Sequence, residues 1–134
     1  MKTQGGLPMP LVHIHLMQGR PVEFGRRIGE IVYQTMVEKL NIPQKDNFHT
    51  ITEHTRNNLI YSIDYLNIQR TDGIIIIQIT LSEGRDVNLK KAFYQRLAER
   101  LNKELQIRKE DILINLIEVK RENWSFGNGL AQFA

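Results

Sequence analysis

The segment IIIQITLSEGR, residues 75–85, has the same pattern as PLVHIHLMQGR, residues 10–20, at a constant offset of 65 positions. Continued downstream without a gap, the match relates residues 10–58 to residues 75–123 and contains 11 identities. Two of these lie directly after the apolar part of each copy, where Gly19-Arg20 matches Gly84-Arg85. Identities at so constant a spacing indicate an internal duplication, so one structural unit occurs twice in this chain.

Each copy changes its hydrophobic period from two to about 3.6 and back, which is typical of a strand, a helix and a second strand. Pro21 fits the first turn of the first helix, and Asp86 is a candidate N-cap for the second. The unbroken isoleucines predict that Ile74 to Leu81 form a central strand buried on both faces, and Ile112 to Val119 form the last strand. The predicted helical stripes are Ile28, Ile31, Val32, Met36 and Leu40, and Leu89, Phe93, Leu97, Leu101 and Leu105. We therefore predict an α/β fold in which two tandem β-α-β repeats form a four-stranded sheet with two helices on one face.

Size and composition indicate a single soluble domain. A chain of 134 residues can bury roughly two thirds of its unfolded surface around one core. There is no cysteine, which excludes disulfides and thiolate nucleophiles, and a cytoplasmic location is expected. The longest apolar run, Ile74 to Ile77, is far shorter than the roughly 18 residues of a membrane helix, so no membrane partner is predicted. The predicted organisation is a leader over 1–9 and one domain over 10–134, made of repeat one (10–58), a linker (59–74), repeat two (75–123) and a tail (124–134).

The duplicated pattern, the Met9-Pro10 start and the tail Trp124-Ser125-Phe126-Gly127-Asn128-Gly129 resemble the tautomerase superfamily. This 4-oxalocrotonate tautomerase-like resemblance covers Pro10 to Phe133 and is closest to the branch around malonate semialdehyde decarboxylase. It implies an enzyme that interconverts the enol and keto forms of a small 2-oxo acid, without a cofactor. It also implies a homotrimer and a small anionic substrate, with decarboxylation or hydration of a small 3-oxo acid as the alternative reaction.

The resemblance makes Pro10 the general base and acid. A free α-amino group titrates near pH 7.7–8.0, roughly, and an adjacent arginine disfavours its protonated form, so it can take and return a proton. In this chain, however, Met1 to Met9 precede Pro10, and an amide nitrogen is not a base. Either Met9 is the true initiator and is removed before proline, or the leader is retained and this mechanism cannot operate. The structural alternative is a proline that merely starts a strand.

Arg85 corresponds to the family arginine that binds a substrate carboxylate, by two parallel hydrogen bonds from its guanidinium group. The alternative for Arg85 is a solvated side chain, and its repeat partner Arg20 suggests that the Gly-Arg pair also serves the turn. Glu83 stands where the decarboxylase pattern has a second arginine, which counts against decarboxylation and dehalogenation. Glu83 is either a second acid or base, or an exposed residue at a strand end.

The resemblance gives three further positions a role in the site. Asp46 corresponds to an aspartate that orients or activates water or substrate near the proline. Because its repeat partner Asp111 also precedes a strand, a turn-stabilising role for Asp46 is an equally good interpretation. Trp124 and Phe126 resemble residues that form the hydrophobic wall of the pocket, and packing of the tail is the alternative for both.

Other function classes have less support in the sequence. His13 and His15 share a strand face, but no HExxH or similar spacing joins them to His49 and His54, so no metal is predicted. No glycine-rich phosphate motif supports a nucleotide cofactor. The element order is also that of ferredoxin-like binding modules, including RNA-binding ones, which remain the alternative of another class. The central strand has no aromatic residue and the net charge is only +3, so no nucleic-acid partner is predicted.

Overall fold

The computed structural model describes residues 10–134, so the predicted leader lies outside the described residues. Its sheet has the order β2-β1-β3-β4, with β1 and β2 parallel, β3 and β4 parallel, and the central pair β1 and β3 antiparallel. The strands are β1 (Leu11–Met17), β2 (Phe48–His54), β3 (Ile75–Ser82) and β4 (Ile112–Val119), and the helices are α1 (Val22–Leu40) and α2 (Val87–Leu105). This arrangement confirms the predicted fold, in which each repeat supplies one parallel strand pair and the helix that connects it.

The two repeats agree in local detail. Both helices have 19 residues and begin and end at equivalent repeat positions. Each ends at a residue in the left-handed conformation, Asn41 and Gln106, both with φ of 57°. Asp86 caps α2 as predicted, because its side chain accepts a hydrogen bond of 2.9 Å from the backbone N–H of Leu89. Pro21 lies one residue before α1, at a position without a side-chain cap.

The core lies between the sheet and the two helices. β1 contributes Val12, Ile14 and Leu16, which are the residues that alternate with polar ones in the sequence. The predicted helical stripes also face this core, where each fully buried aliphatic side chain contributes about 1.5–3 kcal/mol. The central position of β3 is confirmed, but its burial is complete on the helix face only, since Ile76, Gln78 and Thr80 are half-buried. No helix of residues 10–134 is both long and apolar enough to cross a membrane.

The face of the sheet opposite the helices carries a cluster of three histidines, His13, His15 and His54. The imidazole Nδ1 of His15 is 2.9 Å from Nε2 of His54, and its Nε2 is 3.2 Å from the side-chain oxygen of Gln78. His13 is hydrogen-bonded to the hydroxyl group of Thr52 at 3.0 Å. Residues 10–134 contain no group of three metal-ligating side chains that could hold an ion. The histidines are thus bonded to one another and to polar strand residues.

We expect the histidine cluster to make the protein less stable in acid. Burial, and then repulsion from His15 and His54, lowers the pKa of His13. The depressed pKa means that the unfolded chain binds the proton more tightly than the folded protein does. The stabilising contribution of the neutral His13 side chain is therefore fully present above about pH 6.5 and is lost as the pH falls through the folded-state pKa. His13→Gln should flatten the decrease in melting temperature between pH 8 and pH 5. His49→Gln, on the opposite face of β2 beside Gly29, is the control, and an unchanged decrease in His13→Gln would contradict this assignment.

Candidate active site

The structure brings the predicted site residues to one edge of the sheet. Leu11, at the start of β1, pairs with Thr80 near the end of β3 and with Phe48 at the start of β2. The start of β1, the start of β2 and the end of β3 therefore meet at the same edge of the sheet, which is formed by strand ends and not by an outer strand. Pro10 is buried directly before β1, Asp46 precedes β2, and Arg85 follows β3.

Arg85 is buried, with 8% of its surface exposed, so it is not the solvated side chain of the alternative interpretation. Its Nε donates a hydrogen bond of 2.8 Å to the carbonyl oxygen of Leu40, and its Nη1 donates one of 2.9 Å to that of Ser82. Its Nη2 is buried and has no partner among the described residues. An unsatisfied buried donor costs about 1–3 kcal/mol, which an acceptor supplied by a ligand would recover. The guanidinium group is thus fixed by two backbone carbonyls, and Nη2 is its nitrogen without a partner among the described residues.

The charge environment of Arg85 also differs from that of a surface arginine. Burial lowers the pKa of Arg85, although the negative charge of Glu118 opposes this effect. Its repeat partner Arg20 is exposed, and the guanidinium carbon of Arg20 lies 4.2 Å from the centre of the Phe24 ring. The two Gly-Arg pairs have therefore diverged. Arg85 donates to the carbonyl of Ser82 beside its own turn and to that of Leu40, whereas Arg20 has no such bond with another described residue.

Ser82 connects the arginine to the tail, which the sequence analysis did not foresee. It is fully buried, and its hydroxyl oxygen accepts a hydrogen bond of 3.1 Å from the indole Nε1 of Trp124. Its backbone carbonyl is the acceptor for Arg85. The repeat gave no signal for this residue, because the equivalent position in the first copy is Met17. Ser82 holds both Arg85 and Trp124 at the end of β3.

The aromatic residues of the tail form a stack at this edge. The rings of Trp124 and Phe126 are stacked at 5.1 Å, and Phe133 contacts Phe126 edge-on at 5.6 Å. Both Trp124 and Phe126 remain half-buried. The stack therefore has ring surface left that can contact an apolar group.

Glu83 is exposed, and its backbone N–H continues the β3–β4 pairing through a 2.9 Å bond to the carbonyl of Val119.

Asp46 and Asp111 are equivalent in the sequence repeat but differ in their contacts. Asp111 is 2% exposed, and its carboxylate accepts hydrogen bonds of 2.7 Å and 2.6 Å from the backbone N–H and the hydroxyl group of Thr71. Asp111 therefore has the structural role. Asp46 is half-buried and makes no hydrogen bond with another described residue. Burial raises the pKa of Asp46, which favours the protonated carboxyl group.

Replacing Asp46 by asparagine is expected to stabilise the protein at neutral pH. Because the folded-state pKa of Asp46 is raised, its contribution to stability is complete below about pH 3.9 and is lost as the pH rises through the folded pKa. Asp46→Asn should therefore raise the melting temperature at pH 7 and leave it unchanged at pH 3. Asp111→Asn is the matched control and should lower the melting temperature at pH 7, since it weakens the bonds to Thr71. A loss of stability in Asp46→Asn at pH 7 would contradict this interpretation.

Comparison with known proteins identifies the family. Two family models, each described as a tautomerase enzyme, match residues 46–127 and residues 10–65. Probable tautomerase YusQ of Bacillus subtilis (strain 168) is 40% identical over 124 residues, which are 92% of this chain and 98% of that protein. Probable tautomerase YrdN of the same organism is 33% identical over 125 residues, or 93% and 96% of the two chains.

Solved structures with the same fold include two of malonate semialdehyde decarboxylase. The FG41 malonate semialdehyde decarboxylase inhibited by 3-bromopropiolate is 31% identical, with a TM-score of 0.85 over 92% of this chain and 93% of that chain. Another malonate semialdehyde decarboxylase, solved in wild-type, mutant and inactivated forms to explain its decarboxylase and hydratase activities, is 24% identical. Its TM-score is also 0.85, over 92% and 95% of the two chains. A fused 4-OT, solved as a symmetric trimer, is 19% identical with a TM-score of 0.75, over 92% and 97%.

The chain belongs to the tautomerase superfamily, as the sequence resemblance indicated. It is therefore an enzyme of that family. This membership decides against the ferredoxin-like binding module that the element order had left open.

Proposed function

We propose that this protein is an enol–keto tautomerase of small 2-oxo acids, with Pro10 as the base and acid and Arg85 as the carboxylate-binding residue. The observation that carries the proposal is the buried Nη2 of Arg85, which has no hydrogen-bond partner within residues 10–134 and belongs to the same sheet edge as Pro10. A substrate carboxylate oxygen would satisfy this donor. The relatives named as probable tautomerases support the reaction class.

The reaction requires one proton to move between two atoms of the substrate. The imino nitrogen of Pro10, when it is the free N terminus, takes the proton from the enol hydroxyl group. The resulting enolate forms its C=O bond as the neighbouring carbon takes the proton back from Pro10, so that atoms and charges balance. The Trp124 and Phe126 rings would contact the carbon chain of the substrate, and the Arg85 guanidinium would hold the carboxylate in place.

Decarboxylation or hydration of a small 3-oxo acid is the second candidate function. It is favoured by Asp46, whose raised pKa suits a group that directs water, and by the 31% identical decarboxylase that 3-bromopropiolate inhibits. Glu83 counts against it, because it places a carboxylate where that branch has an arginine. Incubation with malonate semialdehyde separates decarboxylation from tautomerisation. Release of carbon dioxide from this substrate, faster than the ketonisation of the enol of pyruvate by the same preparation, would favour the lyase.

The proposal is tested first by comparing two forms of the protein, one of residues 1–134 and one that begins at Pro10. Ketonisation of the enol of pyruvate, followed by the loss of its ultraviolet absorbance, should be catalysed only when Pro10 is N-terminal. The intact mass of protein purified from its natural host should then correspond to a start at Pro10. Equal activity of the two forms would exclude Pro10 as the base.

We also propose a homotrimer in the cytoplasm. β2 and β4 are the outer strands of the sheet, and the backbone groups along one side of each pair with no other strand of the described residues. The linker also exposes apolar side chains, including Ile60 at 86% and Leu66 at 71%. Neighbouring subunits would cover such edges and side chains, and a sedimentation mass of three chains is the expected result.

A further inference from the structure

A cavity of about 450 Å³ lies where β1 and β2 end and β3 begins, at the edge of the sheet opposite the candidate active site. We call it the second cavity, because the candidate active site is the first place proposed to bind a ligand. Leu16 and Ile75 form part of its apolar lining. Arg20, Phe24 and Arg56 line it as well. A cavity of this size is large enough for a small organic acid.

This cavity is the repeat equivalent of the candidate active site. The offset of 65 positions relates Ile75 to Pro10 and Arg20 to Arg85. The duplication has thus kept the arginine at both edges but has a proline only at one. The nitrogen of Ile75 belongs to an internal peptide bond and has no basic lone pair. Ile75 therefore cannot take up and return a proton in the way proposed for Pro10.

Among the described residues that line the cavity, Arg56 is ion-paired and Arg20 is not. The guanidinium group of Arg56 is paired with Asp72, whose other carboxylate oxygen accepts a 2.7 Å hydrogen bond from the hydroxyl group of Tyr61. Arg20 forms no ion pair or hydrogen bond with another described residue, and its guanidinium carbon lies 4.2 Å from the centre of the Phe24 ring. Stacking on a ring orients a guanidinium group and leaves its N–H groups free to bind an anion.

We propose that this cavity is a second binding site for small carboxylates, which the guanidinium group of Arg20 holds. The half-buried side chain of Met17 contacts the carbon chain, and the guanidinium group of Arg20 binds the carboxylate. Each chain then has two carboxylate sites of different chemistry, one at each edge of the sheet. The second site does not depend on a free N terminus at Pro10.

Two side chains report on the two edges separately. Met17 lines the second cavity, whereas Met36 is buried in the core and serves as the internal control. Trp124 is the one tryptophan of the sequence and lies at the other edge, bonded to Ser82. Malonate is titrated into the full chain, labelled with ¹³C at its methionine methyl groups and with ¹⁵N at its indole.

We expect a saturable shift of the Met17 methyl signal with malonate, none with neutral malonamide, and none at Met36. Arg20→Gln should weaken this binding about tenfold or more, because it removes a charged hydrogen-bond donor, and Arg20→Lys should weaken it less. The Trp124 signal of Arg20→Gln should still respond to malonate. A Met17 signal that does not move, or that moves equally in Arg20→Gln or with malonamide, overturns the second site. If only the Trp124 signal fails to respond, the site proposed around Arg85 fails instead.

Discussion

A protein that begins at Pro10 is expected to lose about 100- to 10,000-fold in kcat when a single residue is restored in front of it. The added residue converts the imino nitrogen of Pro10 into an amide, which cannot accept a proton at neutral pH. Ketonisation rates of the two forms, determined at saturating substrate, measure the loss.

Pro10→Ala, in a protein that begins at residue 10, distinguishes the chemistry of the nitrogen from its position. Alanine also presents a free amine of similar pKa, but without the ring its nitrogen is less rigidly held. We therefore expect a smaller loss than with the blocked form, about tenfold to 100-fold, and a rate that still falls as the amine is protonated in acid. A blocked form as active as the free one, or a full rate in Pro10→Ala, would show that another group moves the proton.

The parts of the fold that repeat were predictable from the sequence. The switch of hydrophobic period places both helices, and the offset relates their first and last residues. The central position of β3 also follows from its isoleucines. The burial of β3 on both faces, predicted from its unbroken isoleucines, was wrong in part. Both helices lie on one face of the sheet, so Ile76 and Gln78 on the other face are only half-buried.

Contacts made outside the repeat could not be predicted from it. Asp46 and Asp111 are equivalent in sequence, but Asp111 binds the N–H and hydroxyl groups of Thr71, a linker residue. It also pairs with Arg108 at 3.3 Å, where the first copy has Pro43. The position of Ser82 between Arg85 and Trp124 depends likewise on the tail, which has no counterpart in the first copy. The hydrogen bonds that distinguish equivalent positions come from the two unrepeated segments, from the end of α1 and from Arg108, a position at which the two copies differ.

Arg85 combines a structural role with the proposed binding role, and the two have to be separated by experiment. Its Nε and Nη1 satisfy the carbonyl groups of Leu40 and Ser82, which ties the end of α1 to the end of β3. Its Nη2 has no partner among the described residues and is the group proposed to bind the substrate. A variant that removes the side chain affects both roles, whereas lysine keeps the positive charge and can still donate to a carbonyl.

Arg85→Ala is expected to lower the free energy of unfolding by about 2–5 kcal/mol, because two buried carbonyl groups lose their donors and a cavity remains. At a temperature where it is folded, kcat/KM for the 2-oxo acid should fall about 100-fold or more, since a charged bond to the carboxylate is lost. Arg85→Lys should recover part of the stability but keep a raised KM, because a single ammonium group cannot serve both carbonyls and the substrate. Arg26→Ala, at an exposed position of α1, is the matched control and should change neither quantity measurably. If the role of Arg85 is purely structural, folded Arg85→Lys protein should have a normal KM. That result would show that Arg85 does not bind the substrate carboxylate.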